Sequence, residues 1–207
     1  NAERVQFGAL RVLNDDTIAA GMGFGTHPHD NMEIITIPLE GDLAHKDSMG
    51  NTSTIKTGDI QVMSAGTGIQ HSEFNPNKEQ QTKLFQIWLF PKTRNVAPRY
   101  QQITLDKSLQ KNNFAQILSP NADDAGVWIH QDAWFHIGKF DLDFATNYKV
   151  KKVGNGLYAF VLYGSFEVAG QTLAERDALG ITDFDQFELK ALTKDAEILL
   201  MEIPMGV

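Results

Sequence analysis

Apolar and polar positions alternate in short bursts along this chain, none of the clear ones longer than nine residues. RVLN (11–14), MEIITIPL (32–39), IQVM (60–63), KLFQIWLF (83–90), FAQIL (114–118), AWFHIGKF (133–140), LYAFVLYG (157–164), FEVAG (166–170) and AEILLMEIP (196–204) have the length and the β-branched and aromatic content of strands. Turn signals separate them at Met49-Gly50-Asn51, Thr57-Gly58-Asp59, Gly66-Thr67-Gly68 and Asn155-Gly156. One short helix is predicted around 104–112, and Pro38, inside a strand run, predicts an edge or a bulge. Many short strands with glycine-rich corners and hardly any helix make an all-β fold, a barrel or a sandwich.

The pattern repeats once, weakly. LEGDL (39–43) resembles LYGSF (162–166), each closing an apolar strand before a new one begins. Sliding one half of the chain onto the other by this match sets Val150, Lys152 and Gly156 opposite His27, His29 and Glu33. Two similar barrels are expected, joined at the loop SPNADDAG (119–126), with an N-terminal domain over 1–119 and a C-terminal domain over 120–207 that lacks those histidines.

Candidate chemistry concentrates in the first half. In GFGTHPHDNMEIITIPLEG (23–41) His27 and His29 stand one residue apart, and in GDIQVMSAGTGIQHSEFN (58–75) His71 and Glu73 repeat that spacing. Residues i and i+2 of a strand project from one side about 7 Å apart, so two such pairs on neighbouring strands can converge on one cation. If the first strand runs unbroken, the ligand side is shared with Glu33, Ile35, Ile37 and Leu39 and faces the barrel interior. Three imidazoles and a carboxylate suit first-row ions from Mn to Zn and leave positions open for water or substrate. A structural zinc would instead be enclosed by protein, usually with thiolates.

The plainer reading is that of solvent-facing or hydrogen-bonded histidines, which the joint occurrence of two spaced pairs in glycine-rich strand context disfavours. Glu73 either ligates the cation or only orients His71. Glu33 is read as structural or as an outer partner of a ligand, His45 as a surface residue beside a hairpin turn, and His130 and His136 as ordinary residues on a strand with Trp134 and Phe135. Phe85, Trp88 and Phe90 are assigned to the core. Gly66-Thr67-Gly68 lacks the following Lys and helix of a phosphate-binding loop.

Composition narrows the rest. With 207 residues and 42% apolar content the chain can bury a real core. A net charge of −8 with no clustering of basic residues argues against a nucleic-acid or anionic-lipid partner. No apolar run approaches the roughly 18 residues that cross a bilayer, and no secretory leader is visible, so a cytoplasmic protein is expected. The absence of cysteine excludes disulfides, thiolate zinc sites, iron–sulfur clusters and cysteine nucleophiles. The first residue is Asn1, and an upstream segment is expected.

GFGTHPHDNMEIITIPLEG and GDIQVMSAGTGIQHSE resemble the two signature stretches of the pirin family, and especially its bacterial branch of quercetin 2,3-dioxygenases; the likeness runs from about Arg11 to Arg99 and includes DSMGN and QIWLFP. Within the wider cupin pattern, Gly21-x5-His27-x-His29-x3-Glu33 matches the first motif, with Gly41 one residue late, and His71-x3-Asn75 matches the end of the second. The resemblance implies a bicupin, two β-barrel (jelly-roll) domains with one metal in the N-terminal barrel held by His27, His29, His71 and Glu73. Iron(II) is the usual ion, with Cu, Mn, Co, Ni and Zn as alternatives, and Glu33 is not a ligand in pirins. Gly66 stands where other cupins often have Pro. Asp30-Asn31-Met32 replaces an Arg-Gly-Phe common in animal pirins, and Val62 replaces a frequent Trp; both are expected near the substrate entrance. The implied activity is oxidative ring cleavage of a flavonol such as quercetin by O2, with Glu73 as base. The alternative is a metal-dependent, redox-responsive regulator that binds a protein partner, with iron on the same four ligands as sensor rather than catalyst.

Overall fold

The computed structural model describes residues 5–206. Nineteen strands and one 3-10 turn, Lys107–Gln110, form the regular structure of the described residues, so the all-β expectation holds. The helix expected over 104–112 shrinks to that single turn, capped by Asp106, whose carboxylate accepts from Ser108 N at 2.9 Å. No helix among the described residues is long and apolar enough to cross a membrane. The chain splits into two compact units: one takes 10–105 together with 127–131, and the other takes 106–126 and 132–206 with the described residues before Leu10.

The first unit contains β1 (Leu10–Ile18), β2 (Gly23–His29), β3 (Glu33–Glu40), β4 (Leu43–Asp47), β5 (Thr52–Ile55), β6 (Asp59–Ser64), β7 (Ile69–Phe74), β8 (Thr82–Leu89) and β9 (Arg99–Thr104). They form two antiparallel sheets, in the orders β1-β8-β3-β6-β9 and β2-β7-β4-β5. The strand from His27 does not run unbroken into β3. Asn31 adopts φ +44, a left-handed conformation that asparagine tolerates better than most residues, and the chain passes there from the smaller sheet to the larger. Asn31 N donates to Gly66 O at 2.9 Å and its side-chain oxygen accepts from Asn95 N at 2.7 Å, which fixes the corner.

His27 and His29 therefore belong to the smaller sheet, while Glu33 begins a strand that is buried on both faces. Glu33 is 1% exposed and accepts from Ser64 Oγ at 2.6 Å, a structural placement. The register of β3 against β8 shifts between Pro38 and Glu40, so the proline marks a bulge in a central strand. Gly66 has φ +50, and a Cβ there would lie 2.1 Å from Val96 O. Proline, with φ fixed near −65°, cannot take that backbone, which accounts for the departure from Pro at this position. Val62 is fully buried within the larger sheet and does not reach an entrance.

Beyond β10 (Ala115–Ser119), which opens the second unit, β11 (Val127–Trp128) belongs to the segment that returns to the first. Arg99 clasps it: Nη1 donates to Trp128 O at 2.5 Å, and the guanidinium lies 3.9 Å from the centre of the Trp128 ring. Gln131 Nε2 donates to Phe90 O at 2.8 Å and Lys92 N to His130 O at 2.7 Å. His130 thus lies with the first unit and not on the strand that carries Trp134 and Phe135.

The second unit continues with β12 (Trp134–Phe140), β13 (Ala145–Lys149), β14 (Asn155–Tyr163), β15 (Phe166–Val168), β16 (Gln171–Leu173), β17 (Ala178–Ile181), β18 (Gln186–Ala191) and β19 (Ala196–Pro204). Its strands pair as β10-β12-β19-β14-β17 and β13-β18-β15-β16, around a core that includes Phe140, Leu157, Phe166, Leu189 and Leu200. Gly164, between β14 and β15, has the same φ of +74 as Gly41 between β3 and β4, so the LEGDL and LYGSF pair marks equivalent corners. Asn155-Gly156 is not a turn. The turn passes through Gly154 at φ +87, and Asn155 starts β14 with its amide donating to Glu202 Oε1 at 3.0 Å and Asp132 O at 3.1 Å.

His136, on β12, is 3% exposed and its Nδ1 has no hydrogen-bond partner. Burial, with Lys151 nearby, lowers its pKa to about 4. The unfolded chain, with an ordinary imidazole near 6.5, then binds one more proton than the folded chain between those values, so His136 makes stability fall as pH drops through that window. His136→Phe is expected to remove that contribution, flattening the pH dependence of unfolding free energy by up to about 1.4 kcal/mol per pH unit. Urea unfolding of both proteins from pH 7 to pH 4 checks it, and parallel curves contradict it.

Candidate metal centre

Strand alternation places the site. In β7, Ile69, His71 and Glu73 are buried while Gln70 and Phe74 are exposed; in β2, His27 and His29 are half-buried on either side of an exposed Pro28. The register sets His27 opposite His71. Ring centroids stand 4.4 Å apart for His27 and His71, 4.9 Å for His27 and His29, and 5.0 Å for His29 and His71. Among the described residues these three imidazoles form a group whose ligand-capable atoms all lie within 4.8 Å of one another. Glu73 stands outside that group, two residues beyond His71 on the same side of β7 and 2% exposed.

The nitrogens are prepared for a cation. His27 Nδ1 lies 2.8 Å from Gly25 O and donates to it, which leaves the Nε2 lone pair free. His29 Nε2, both nitrogens of His71 and Glu73 Oε1 are buried with no hydrogen-bond partner. Buried polar atoms left this way are costly, and a cation among them would satisfy one nitrogen of each ring and the carboxylate oxygen together. Burial, then the neighbouring His27, drops the pKa of His29 to about 4. Burial, then His27, His29 and His45, drops that of His71 to about 3. Both rings are therefore neutral at pH 7, the state that ligation requires. Burial pushes the Glu73 carboxyl above the usual carboxylate range, against a hydrogen bond from Gln86. The donor set fits a first-row divalent ion without selecting one.

Three residues near the site are not where the sequence placed them, or were not singled out by it. His45 is 2% exposed, because Leu43, His45 and Asp47 form the inner side of β4, and its register partner is Glu73. Its ring centroid is 5.4 Å from that of His71 and 5.0 Å from that of Tyr100, and neither nitrogen has a hydrogen-bond partner. Trp88 packs with Met32 against Ile34, Met63, Ala65 and Ile69, yet it is only half-buried and its ring meets His29 edge-on at 4.9 Å. Gln86, whose signal is a lone polar residue inside KLFQIWLF, donates from Nε2 to Glu73 Oε2 at 2.7 Å and accepts from Trp88 Nε1 at 3.2 Å. Phe85 is fully buried, as a core residue should be. An open depression of about 580 Å³, lined by Pro28, His29, Asp30, Ser48, Ile69 and Gln70, adjoins the cluster at His29.

The chain is similar to known proteins over most of its length. Residues 1–89 match the family described as Pirin, and residues 116–203 match the one described as Quercetinase C-terminal cupin domain. The chain is 39% identical over 198 residues to the quercetin 2,3-dioxygenase of Escherichia coli, covering 96% of this chain and 84% of that protein. It is also 39% identical over 199 residues to a pirin-like protein of Caulobacter vibrioides, with the same coverage of 96% and 84%. Among solved structures, it matches the crystal structure of a bacterial pirin from Escherichia coli in complex with nickel(II), with a TM-score of 0.92 and 37% identity over 100% of this chain and 87% of that one.

Proposed function

The chain belongs to the pirin family, and from that membership and the geometry of its imidazole cluster we propose that it is a metal-dependent dioxygenase that opens the ring of a flavonol such as quercetin. The observation that carries the reading is the convergence of three imidazoles, with free nitrogens, beside a buried carboxylate. His27, His29 and His71 would hold the cation with Glu73 as the fourth ligand, and iron(II) is the proposed ion. When bound, the cation supplies Lewis acidity that lowers the pKa of a substrate hydroxyl.

The chain's own groups do the rest. Glu73, buried beside the imidazoles, would take the hydroxyl proton. Trp88 and Met32 offer apolar surface to a planar ring, and the depression beside His29 gives a phenolic molecule its approach. Holding the hydroxyl against its base makes proton removal an intramolecular step. Ring opening would consume one O2 and release a depside and carbon monoxide.

Elemental analysis of protein purified without added metal, followed by oxygen-electrode measurement with quercetin on the same sample, tests the proposal. A first-row ion bound near one per chain and oxygen uptake in step with quercetin bleaching are expected. Protein that carries the ion yet consumes no oxygen with quercetin or any member of a phenolic panel is a binding protein, and the enzymatic reading is then wrong.

A further inference from the structure

Resting on the metal centre proposed for His27, His29, His71 and Glu73, we propose that Trp88 and Gln86 form a positioning relay that fixes which oxygen of Glu73 meets the cation. A glutamine amide can turn over and offer either its oxygen or its NH2 to a neighbour. Trp88 removes that freedom. Its indole N–H can only donate, and at 3.2 Å it requires Gln86 to present Oε1. The amide NH2 must then face the other way, where it donates to Glu73 Oε2 at 2.7 Å. The inverted amide would set its oxygen against the carboxylate and its NH2 against the indole N–H, two repulsive contacts at once.

Oε2 is thereby kept as an acceptor, and Oε1, buried and without a partner, is the oxygen left for the cation. Gln86 and Trp88 are two residues apart on β8 and so share one side of the strand. The same indole meets His29 at 4.9 Å, so a single side chain braces His29 on β2 directly and the acid on β7 through Gln86.

The test uses metal-stripped protein and nickel(II), with affinity read by competition against a chromophoric chelator. Trp88→Phe keeps an aromatic ring but loses the N–H together with part of the ring surface. Gln86→Leu removes the amide, and Gln86→Met replaces it should the leucine form fail to fold. Each single variant is expected to bind nickel about tenfold more weakly, the lower end of the range for losing an outer partner of a ligand. The double variant is expected to be no weaker than the Gln86 variant alone, because Trp88 acts through Gln86. The visible spectrum of the cobalt(II) form is expected to shift in both single variants, whereas melting of the metal-free Trp88→Phe protein stays close to wild type. Trp88→Phe with wild-type nickel affinity and cobalt spectrum overturns the relay, as do losses that add in the double variant. Wild-type protein that binds neither ion overturns the metal centre itself, and the relay with it.

Discussion

Replacing His71 by alanine is expected to abolish metal retention, weakening affinity for nickel(II) by more than about 100-fold, beyond the range for loss of an outer hydrogen-bond partner. Oxygen uptake with quercetin falls to background in the same protein. His71 is the buried member of the cluster, its centroid 4.4 Å from His27 and 5.0 Å from His29. Folding is expected to survive the change. Neither nitrogen of His71 has a hydrogen-bond partner, so truncation breaks no such bond, and the cost of the cavity is offset by removing two unsatisfied buried atoms. Chelator competition and a melting curve of the metal-free form check the two halves separately. Full metal content together with full turnover in His71→Ala would remove this site from the activity.

The second large effect falls on stability, at Glu202. This fully buried carboxylate accepts from Tyr148 OH at 2.9 Å, Lys151 N at 2.8 Å, Lys152 N at 2.9 Å and Asn155 Nδ2 at 3.0 Å. Glu202→Ala strands all four donors and leaves a hole, with an expected loss of about 4 kcal/mol or more. Glu202→Gln keeps the shape but turns one acceptor into a donor facing N–H groups, and about half that loss is expected. Urea unfolding measures both, and a change below about 1 kcal/mol in the alanine form contradicts the assignment.

The convergence of His27, His29 and His71 is legible in the text of the chain because the one-residue spacing of ligand pairs is itself the period of a strand. The all-β class is legible for the same reason, since runs such as IQVM and KLFQIWLF announce their strands through apolar content. Apart from β15, read from FEVAG, strands of the smaller sheets announce themselves less. TSTI in β5 and ATNYK in β13 carry few apolar residues and earn their pairing from neighbours far away in sequence. His45 belongs to the same class: LAHKD precedes a turn and looks exposed, but β5 and β7 flank it and make its odd positions interior. Asn155-Gly156 has the composition of a hairpin turn, yet Glu202, 47 residues on, holds the Asn155 side chain. The corner at Asn31, which separates the histidines from the apolar parity of β3, is likewise fixed by Gly66 and Asn95, distant in sequence, as well as by Asn31 itself.

The five residues 127–131 bear on how such a gene can change. They sit downstream of β10 but supply the wall against which Arg99, Phe90 and Lys92 are satisfied, and the His130 N–H bonds Glu33, four positions after His29. A shortened transcript that stopped before them would take one partner each from a guanidinium and an acid of the barrel that carries the imidazole cluster. The first unit is therefore complete only with a segment that follows a strand of the second, and no cut before residue 127 keeps it whole.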